Sequence, residues 1–383
     1  MKAIYSFAVM ILLAGIFTGC QKATKYHPAL YFTGTEQFPE KKISIEGPVD
    51  VDVSITSSIV VSKDISVKIK IQPELLDAYN DLKGTAYKFL PDGSFSISAT
   101  DLVIRNGVNI SDVAKFSITT LANFLEGVTY CVPITIIETN GDIPVLESSR
   151  TLYLIIKQTI ITRAASLVSS RYFKVPSFLT TPAISSVSAL TLECRVYVNA
   201  FQTANPFITS IMGIEETFLL RFGDVSIPNN KLQLAGGQIN GGGKFPVTSQ
   251  ATFATGKWYH VAAVYNGSTI SVFVDGVLDN YTDAQSGGID LTNSWSDGFL
   301  IGRSAGGRYL NGYVSEARVW TKALTATELQ NNLCYVDPAS PGLLAYWRFN
   351  GDINGLEVAD LTGHGHTAVA NNSITWVNGV RCP

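Results

Sequence analysis

The sequence predicts an all-β protein, and three observations carry the prediction. Only 15% of the 383 residues are charged, glycine is frequent, and Val, Ile, Thr, Ser, Tyr and Phe recur in short runs. That composition suits half-buried pleated strands joined by many turns. Apolar and polar residues alternate with period two in several segments. Two strand-like runs flank Asn266-Gly267, the pairing that fits the tight turn of a β-hairpin.

The first block starts near Tyr26. Alternation is plain at Ile43-Ser44-Ile45, Val49-Asp50-Val51-Asp52-Val53 and Val67-Lys68-Ile69-Lys70-Ile71. Further strands are predicted over 94–98, 102–105, 115–119, 130–137 and 152–157. Pro91-Asp92-Gly93, Asn106-Gly107 and Asn140-Gly141-Asp142 supply the turns between them. One helix is predicted over 73–82, with Pro73 suited to its first position. So many short strands predict an Ig-like β-sandwich, because two sheets must cover each other's apolar faces.

A seam is predicted from Thr159 to Ser170, where the strand pattern lapses, and it resumes at Tyr172-Phe173-Lys174. The sharpest strands of the second block are 257–265 and 269–277, on either side of Asn266-Gly267. A short helix is predicted over 323–332. Thr325 is placed to cap it and Glu328, three residues on, completes a capping box.

Ahead of both blocks, Lys2 precedes an apolar run that ends in Phe17-Thr18-Gly19-Cys20. The run is shorter than the ~20 residues a spanning helix needs. It resembles the signal peptide and lipobox of a bacterial lipoprotein. The resemblance implies that residues 1–20 are a signal segment and that Cys20 carries the lipid; the alternative is an ordinary signal peptide with a chance cysteine. An outer-membrane lipoprotein follows, touching the membrane through that anchor alone. With a net charge of −3 and no basic block, nucleic acid is not an expected partner.

Several motifs of the second block occur in an order that resembles the laminin-G-like, concanavalin A-like jelly roll. They are Gly256-Lys257-Trp258-Tyr259-His260-Val261-Ala262, Val272-Phe273-Val274-Asp275-Gly276, Phe299-Leu300-Ile301-Gly302-Arg303, 310–324, Leu344-Ala345-Tyr346-Trp347-Arg348-Phe349-Asn350 and Asp360-Leu361-Thr362-Gly363-His364-Gly365. In the first block Ala29-Leu30-Tyr31-Phe32, Leu90-Pro91-Asp92-Gly93-Ser94-Phe95, Tyr130-Cys131-Val132-Pro133-Ile134 and Arg150-Thr151-Leu152-Tyr153-Leu154 resemble an N-terminal domain of Bacteroidetes lipoproteins of polysaccharide-utilisation type. The expected organisation is a sandwich over 21–160 and a jelly roll over 165–383. Gln21-Lys22-Ala23-Thr24-Lys25 lacks the acidic residues that surface-exported relatives carry there, so the cell surface and the periplasmic face both stay open.

The resemblance implies a non-catalytic protein that binds a polysaccharide or glycoconjugate. The alternatives are a structural or protein-binding lipoprotein, such as an adhesin or a partner of an outer-membrane importer, and more remotely a glycoside hydrolase. Glycosidases of this fold place two carboxylates on one strand, and no Glu-x-Asp-x-x-Glu run occurs. Glu193 and Glu316 read as structural acids paired within the sheet. His364 and His366 lack an evident third metal ligand. No nucleophile elbow, phosphate loop or Cys-x-x-Cys pair is present.

Candidate glycan contacts are Trp295, in the polar turn 293–298, and Arg308 and Tyr309 in the following loop. The alternative has Trp295 tucked under its own loop with Arg308 packed on it. Trp258, Trp320, Trp347 and Trp376 read as core. The family pattern matched at Asp360, Thr362, Gly363 and Gly365 implies calcium, with Asp360 as ligand; the alternative is a turn in which Asp360 bonds its own backbone. Apart from Cys20, four cysteines remain. Cys334 and Cys382 are the candidate disulfide, the alternative being four buried thiols.

Overall fold

The computed structural model describes residues 27–236, 247–350 and 356–382. Cys20 and the signal segment lie outside them. The chain divides into two compact units, Met1–Phe124 with Val128–Lys157, and Leu125–Gly127 with Gln158–Pro383.

The N-terminal unit is a β-sandwich. Its larger sheet runs in the order Glu40–Ile45, Thr151–Gln158, Thr129–Thr139, Ile65–Ile71, Asp101–Ile104, and its smaller one in the order Val49–Val53, Ala114–Ile118, Phe95–Ile97. Alternation sets the faces. Ile65, Val67 and Ile69 enter the core while Ser66, Lys68 and Lys70 face outward. The predicted helix is a 3₁₀ turn, Pro73–Leu75, running into an α-helix, Leu76–Lys83. Leu76 and Tyr79 pack from that helix onto Cys131 and Ile155 of the larger sheet. Burial there pushes the Cys131 thiol up to about 12.

The C-terminal unit is two facing antiparallel sheets. The first runs Val277–Asp283, Thr269–Val274, Trp258–Tyr265, Leu190–Ala200, Asn311–Trp320, Ile160–Ser166, Thr375–Cys382, with Leu343–Arg348 also paired to Asn311–Trp320. The second runs Val247–Thr248, Ile227–Ala235, Phe218–Asp224, Thr209–Ile214, Leu300–Ile301, Phe173–Lys174, Ala368–Ala370, Glu357–Val358. The stretch predicted as a seam from Thr159 is thus largely a strand, Ile160–Ser166, of this unit. Its partners are distant in sequence, Thr375–Cys382 and Asn311–Trp320, which is why local pattern did not reveal it.

The first sheet is buried on both faces, which explains the near-continuous apolar run Trp258–Tyr265. Tyr259, Val261, Ala263 and Tyr265 fill the space between the sheets. Ala262 and Val264 turn the other way, into a second core with Trp320, Leu324, Leu329 and Tyr346. The helix Ala326–Asn331 caps that outer core, and its start is the predicted capping box. Thr325 Oγ1 accepts from Glu328 N–H, while Thr325 N–H donates to Glu328 Oε2. The hairpin turn Asp275-Gly276 passes beneath it. Gly276 has φ +76°, and a Cβ there would lie 2.9 Å from Gln330 Cα, so only glycine lets helix and hairpin close. Cys334 and Cys382 are joined as a disulfide beside Ile160, and Cys131 and Cys194 are buried thiols.

Candidate glycan-binding surface

The short strand Phe173–Lys174 pairs with Leu300–Ile301. Phe173 points into the core, so its neighbours Tyr172 and Lys174 turn to the other side, where Tyr172 is itself largely covered, at 9% exposure. Just beyond Ile301, Arg303 bridges back to Tyr309 across a loop. These local pairings bring Tyr172, Arg303 and Tyr309 together. The Arg303 guanidinium lies 4.9 Å from the Tyr172 ring centre and 5.8 Å from that of Tyr309. Arg303 Nη1 donates to Asp297 Oδ2 at 2.9 Å and to the Tyr172 hydroxyl at 3.1 Å. Lys174 Nζ is 3.4 Å from the same Asp297 oxygen. The Arg303 hydrogen bond leads; with Lys174 it outweighs the opposing effect of burial and holds the Asp297 carboxyl below its ordinary range.

Asp297 belongs to the 3₁₀ turn Trp295–Asp297. Ser296 and Asp297 have φ of +52° and +80°, a region costly for residues with a Cβ unless the surroundings hold it. Here they do. Ser296 Oγ donates to Ser304 O at 2.8 Å, Trp295 N–H donates to Asn293 Oδ1 at 2.9 Å, and Asn293 Nδ2 donates to Thr217 Oγ1 at 3.0 Å. On this pinned turn Trp295 is 59% exposed. It is not tucked under its loop.

Of the three candidate contacts, Trp295 and Tyr309 lie in the segments gathered around Arg303, and Arg308 has other work. Its Nη1 bonds the buried carboxylate of Glu215. Behind Glu215, Arg221 bonds Gln233 Oε1 at 3.1 Å and also pairs with Asp224. Arg308 therefore closes a polar ladder on the second sheet. Sequence reasoning missed Tyr172, Lys174, Asp297 and Arg303. The positions on either side of buried Phe173 were a legible signal for the first two.

The acids considered for catalysis are tied up. Glu193 Oε2 is 2.9 Å from His260 Nε2 and 3.3 Å from Arg318 Nη1, and Glu193 Oε1 accepts from Trp320 Nε1 at 2.5 Å. Glu316 pairs with Arg318 and lies 3.3 Å from Arg348 Nε. Burial pushes the Glu193 carboxyl up, but Arg318 with His260 and Trp320 outweighs it and holds the group below its usual range. Trp320 and Trp347 are core, whereas Trp258 and Trp376 are only partly buried.

The residues around Asp360 do not fit a calcium site. Its Oδ1 accepts from Tyr346 N–H and Thr362 N–H, both at 3.0 Å. Its Oδ2 accepts from Thr362 Oγ1 at 2.8 Å and His366 N–H at 3.2 Å. Donors thus occupy both oxygens where a cation would need them bare. Among the described residues no group of three His, Cys, Asp or Glu side chains is placed to hold a metal. His364 Nδ1 lies 2.9 Å from Leu344 O and His366 Nδ1 lies 3.0 Å from Ser177 Oγ, so the two imidazoles serve the turn.

Two facing antiparallel sheets with a helix-capped outer face narrow the family, and sequence comparison decides it. The model of the concanavalin A-like lectin/glucanase superfamily, laminin-G type, matches residues 169–330. This segment is a concanavalin A-like domain. A second family model, that of an N-terminal domain, matches residues 24–143. No curated protein matches the chain. Among solved structures, a Bacteroides ovatus protein provisionally described as carbohydrate-binding is 27% identical, with a TM-score of 0.64, over 91% of this chain and 97% of that one. An endoglycosidase from Bacteroides thetaiotaomicron is 19% identical over 34% of this chain and 30% of its own, with a TM-score of 0.30. A Trypanosoma rangeli sialidase is 16% identical over 37% and 22%, with a TM-score of 0.28. The first spans both units of this chain. The other two overlap only part of it and carry no weight for the concanavalin A-like domain's activity.

Proposed function

We propose that this chain is a non-catalytic carbohydrate-binding lipoprotein of the cell envelope, anchored through Cys20. Its concanavalin A-like unit meets glycan through Trp295, Tyr309 and Arg303. The observation that carries the reading is Trp295, 59% exposed on a turn fixed by its own hydrogen bonds. A sugar ring offers an apolar C–H face and a fringe of hydroxyls. An aromatic face covers the first, and planar polar groups such as Arg303 and Asp297 answer the second. Because the turn is held by Ser304 and Asn293, little ordering cost falls on binding. The relative from Bacteroides ovatus supports the same class of ligand.

The non-catalytic part of the proposal rests on the acids. Hydrolysis of a glycosidic bond needs two carboxyl groups about 5 to 9 Å apart, one free to donate a proton and one free to attack or activate water. Glu193 and Glu316 are instead committed to Arg318. Single sites of this kind bind weakly, and many tethered copies on one membrane raise the effective concentration.

The test is retention of residues 21–383 on a panel of polysaccharide gels, with released reducing sugar measured in the same samples. Retention without release, lost in Trp295→Ala, is the expected result. Blank gels together with a co-purifying protein would replace the proposal with a protein-binding role. Released sugar would replace it with an enzyme.

A further inference from the structure

A second recess lies on the outer face of the other sheet, that of Leu190–Ala200 and Trp258–Tyr265. It is a cavity of about 300 Å³ whose walls include Arg195, Trp258, His260, Asp275, Leu333 and Cys382. Its volume is at the small end for ligand sites.

Arg195 is the unusual member. It is 6% exposed, yet no carboxylate of the described residues lies within 4 Å of it. Its Nη2 donates to Arg381 O at 2.5 Å and its guanidinium lies 5.0 Å from the Trp258 ring centre. Its Nη1 has no hydrogen-bond partner. The other deeply buried arginines of this unit, Arg221 and Arg318, have carboxylates bound directly. Burying a guanidinium costs several kcal/mol unless a counter-charge and hydrogen bonds offset it. Burial depresses the Arg195 pKa, partly opposed by the more distant Glu316 and Asp275, but a guanidinium stays charged. The recess therefore holds a desolvated cation with a spare donor.

Its second spare group is an acceptor. His260 is 4% exposed and its Nδ1 also lacks a partner. Its Nε2 faces the Glu193 carboxylate, so the neutral ring holds its hydrogen on Nε2 and offers Nδ1 as an acceptor. Asp275 stands at the rim, with Oδ1 accepting from His260 N–H at 2.9 Å.

Three ligand classes can be weighed against these groups. A bare inorganic anion would satisfy Arg195 but would set its oxygens against the His260 lone pair and the Asp275 carboxylate. A neutral sugar would supply hydroxyls but leave the Arg195 charge uncompensated. A ring bearing both a carboxylate and hydroxyls satisfies Arg195, His260 and Asp275 together, and Lys257, which also lines the recess, adds a second cation for the carboxylate. We infer that this recess binds one hexuronate unit of an acidic glycan, its carboxylate paired with the Arg195 guanidinium and a ring hydroxyl with the His260 imidazole, a small side-chain shift on binding uncovering their buried, unpartnered nitrogens. The inference rests on the carbohydrate-binding reading for its ligand class, but on different residues.

The experiment is ligand-detected NMR titration of residues 21–383 with sodium D-glucuronate and D-galacturonate, beside D-glucose, D-galactose and sodium acetate. A charge-assisted hydrogen bond is worth ~1.5–3 kcal/mol, so at least one uronate should bind about tenfold or more tighter than its neutral sugar. Acetate, which lacks a hydroxyl, should bind more weakly than that uronate. Arg195→Gln should remove the preference. Leu333→Trp, which fills the recess and deletes no polar group, should abolish binding. Trp295→Ala should leave the uronate affinity within about twofold. Absence of uronate binding, equal binding of the neutral sugars, or survival of binding in Leu333→Trp would overturn the inference. If polysaccharide gels still retain the protein in those cases, the proposed function stands and this site alone falls.

Discussion

The Arg318 guanidinium and the Glu193 carboxylate meet 3.3 Å apart, Nη1 to Oε2, with both side chains 1% exposed. The two residues face each other across neighbouring strands in register. Neither charge can reach water, so each depends on the other and on the His260, Trp320 and Glu316 contacts around them. This arrangement holds the outer face of the sheet in one geometry beneath the helix Ala326–Asn331.

Glu193→Gln should therefore destabilise the C-terminal unit strongly, since it leaves Arg318 buried with half its counter-charge. Removing one partner of such a pair typically costs ~3–5 kcal/mol. Urea unfolding followed by tryptophan fluorescence measures it, and a loss below about 1 kcal/mol would contradict the buried pairing.

The same pair predicts acid sensitivity. The folded-state pKa of Glu193 is depressed relative to its ordinary value of 4.5. The unfolded chain therefore takes up the proton first as pH falls, and stability rises with pH through that window. The contribution is complete above about pH 4.5 and disappears as pH drops through the depressed value. Unfolding midpoints recorded from pH 7 down to 2 should converge for wild type and Glu193→Gln at the acid end.

Arg308 and Trp295 should separate cleanly. Arg308→Ala leaves the buried Glu215 carboxylate with only the longer Arg221 contact, at 4.0 Å, and should cost about 1–3 kcal/mol of stability. Trp295→Ala removes an exposed ring and should change stability by no more than about 0.5 kcal/mol while removing glycan retention. Thermal unfolding beside gel retention reads both, and a stable Arg308→Ala variant would return Arg308 to the list of contacts.

The disulfide closes a loop with a sequence separation of 48 between Cys334 and Cys382. Chain-entropy arithmetic for that length gives about 4 kcal/mol. The Cys334→Ala/Cys382→Ala variant should unfold at correspondingly lower urea, and reduction of wild type should reproduce the shift.

Chelation of calcium should leave the melting temperature of wild type unchanged, because donors from Tyr346, Thr362 and His366 occupy the Asp360 carboxylate. Asp360→Ala should lower it by orphaning those donors. A melting temperature that rises with added calcium would restore the ion to the Asp360 turn.

Much of the architecture was legible because it is local. Alternation exposed the sandwich strands, Asn266-Gly267 marked the hairpin, and Thr325 with Glu328 located the capped helix. Asn266 even supplies its turn's bonds, with Oδ1 accepting from Ser268 N–H at 3.0 Å and Thr269 N–H at 2.8 Å. What escaped was non-local. Ile160–Ser166 became a strand through partners about 150 and 220 residues away. Arg303 could not be recognised without the fold that brings Tyr172 to it, and Arg308 looked available until Glu215 came into contact. The Arg195 recess had no local signature at all. Its spare donor and acceptor come from two strands, and one wall comes from the loop carrying Leu333.

Ile160 pairs with Cys382 at one end of an antiparallel ladder, so the chain enters and leaves this ladder side by side. Tension arriving along the segment before Ile160 would load that ladder from its end as a zipper, one hydrogen-bonded pair at a time. A zipper yields at low force. The covalent link from Cys382 to Cys334 keeps the opposing strand from following, so separation would stay confined to the first strand. The first strand of the unit is thus seated against a neighbour that is itself covalently stapled.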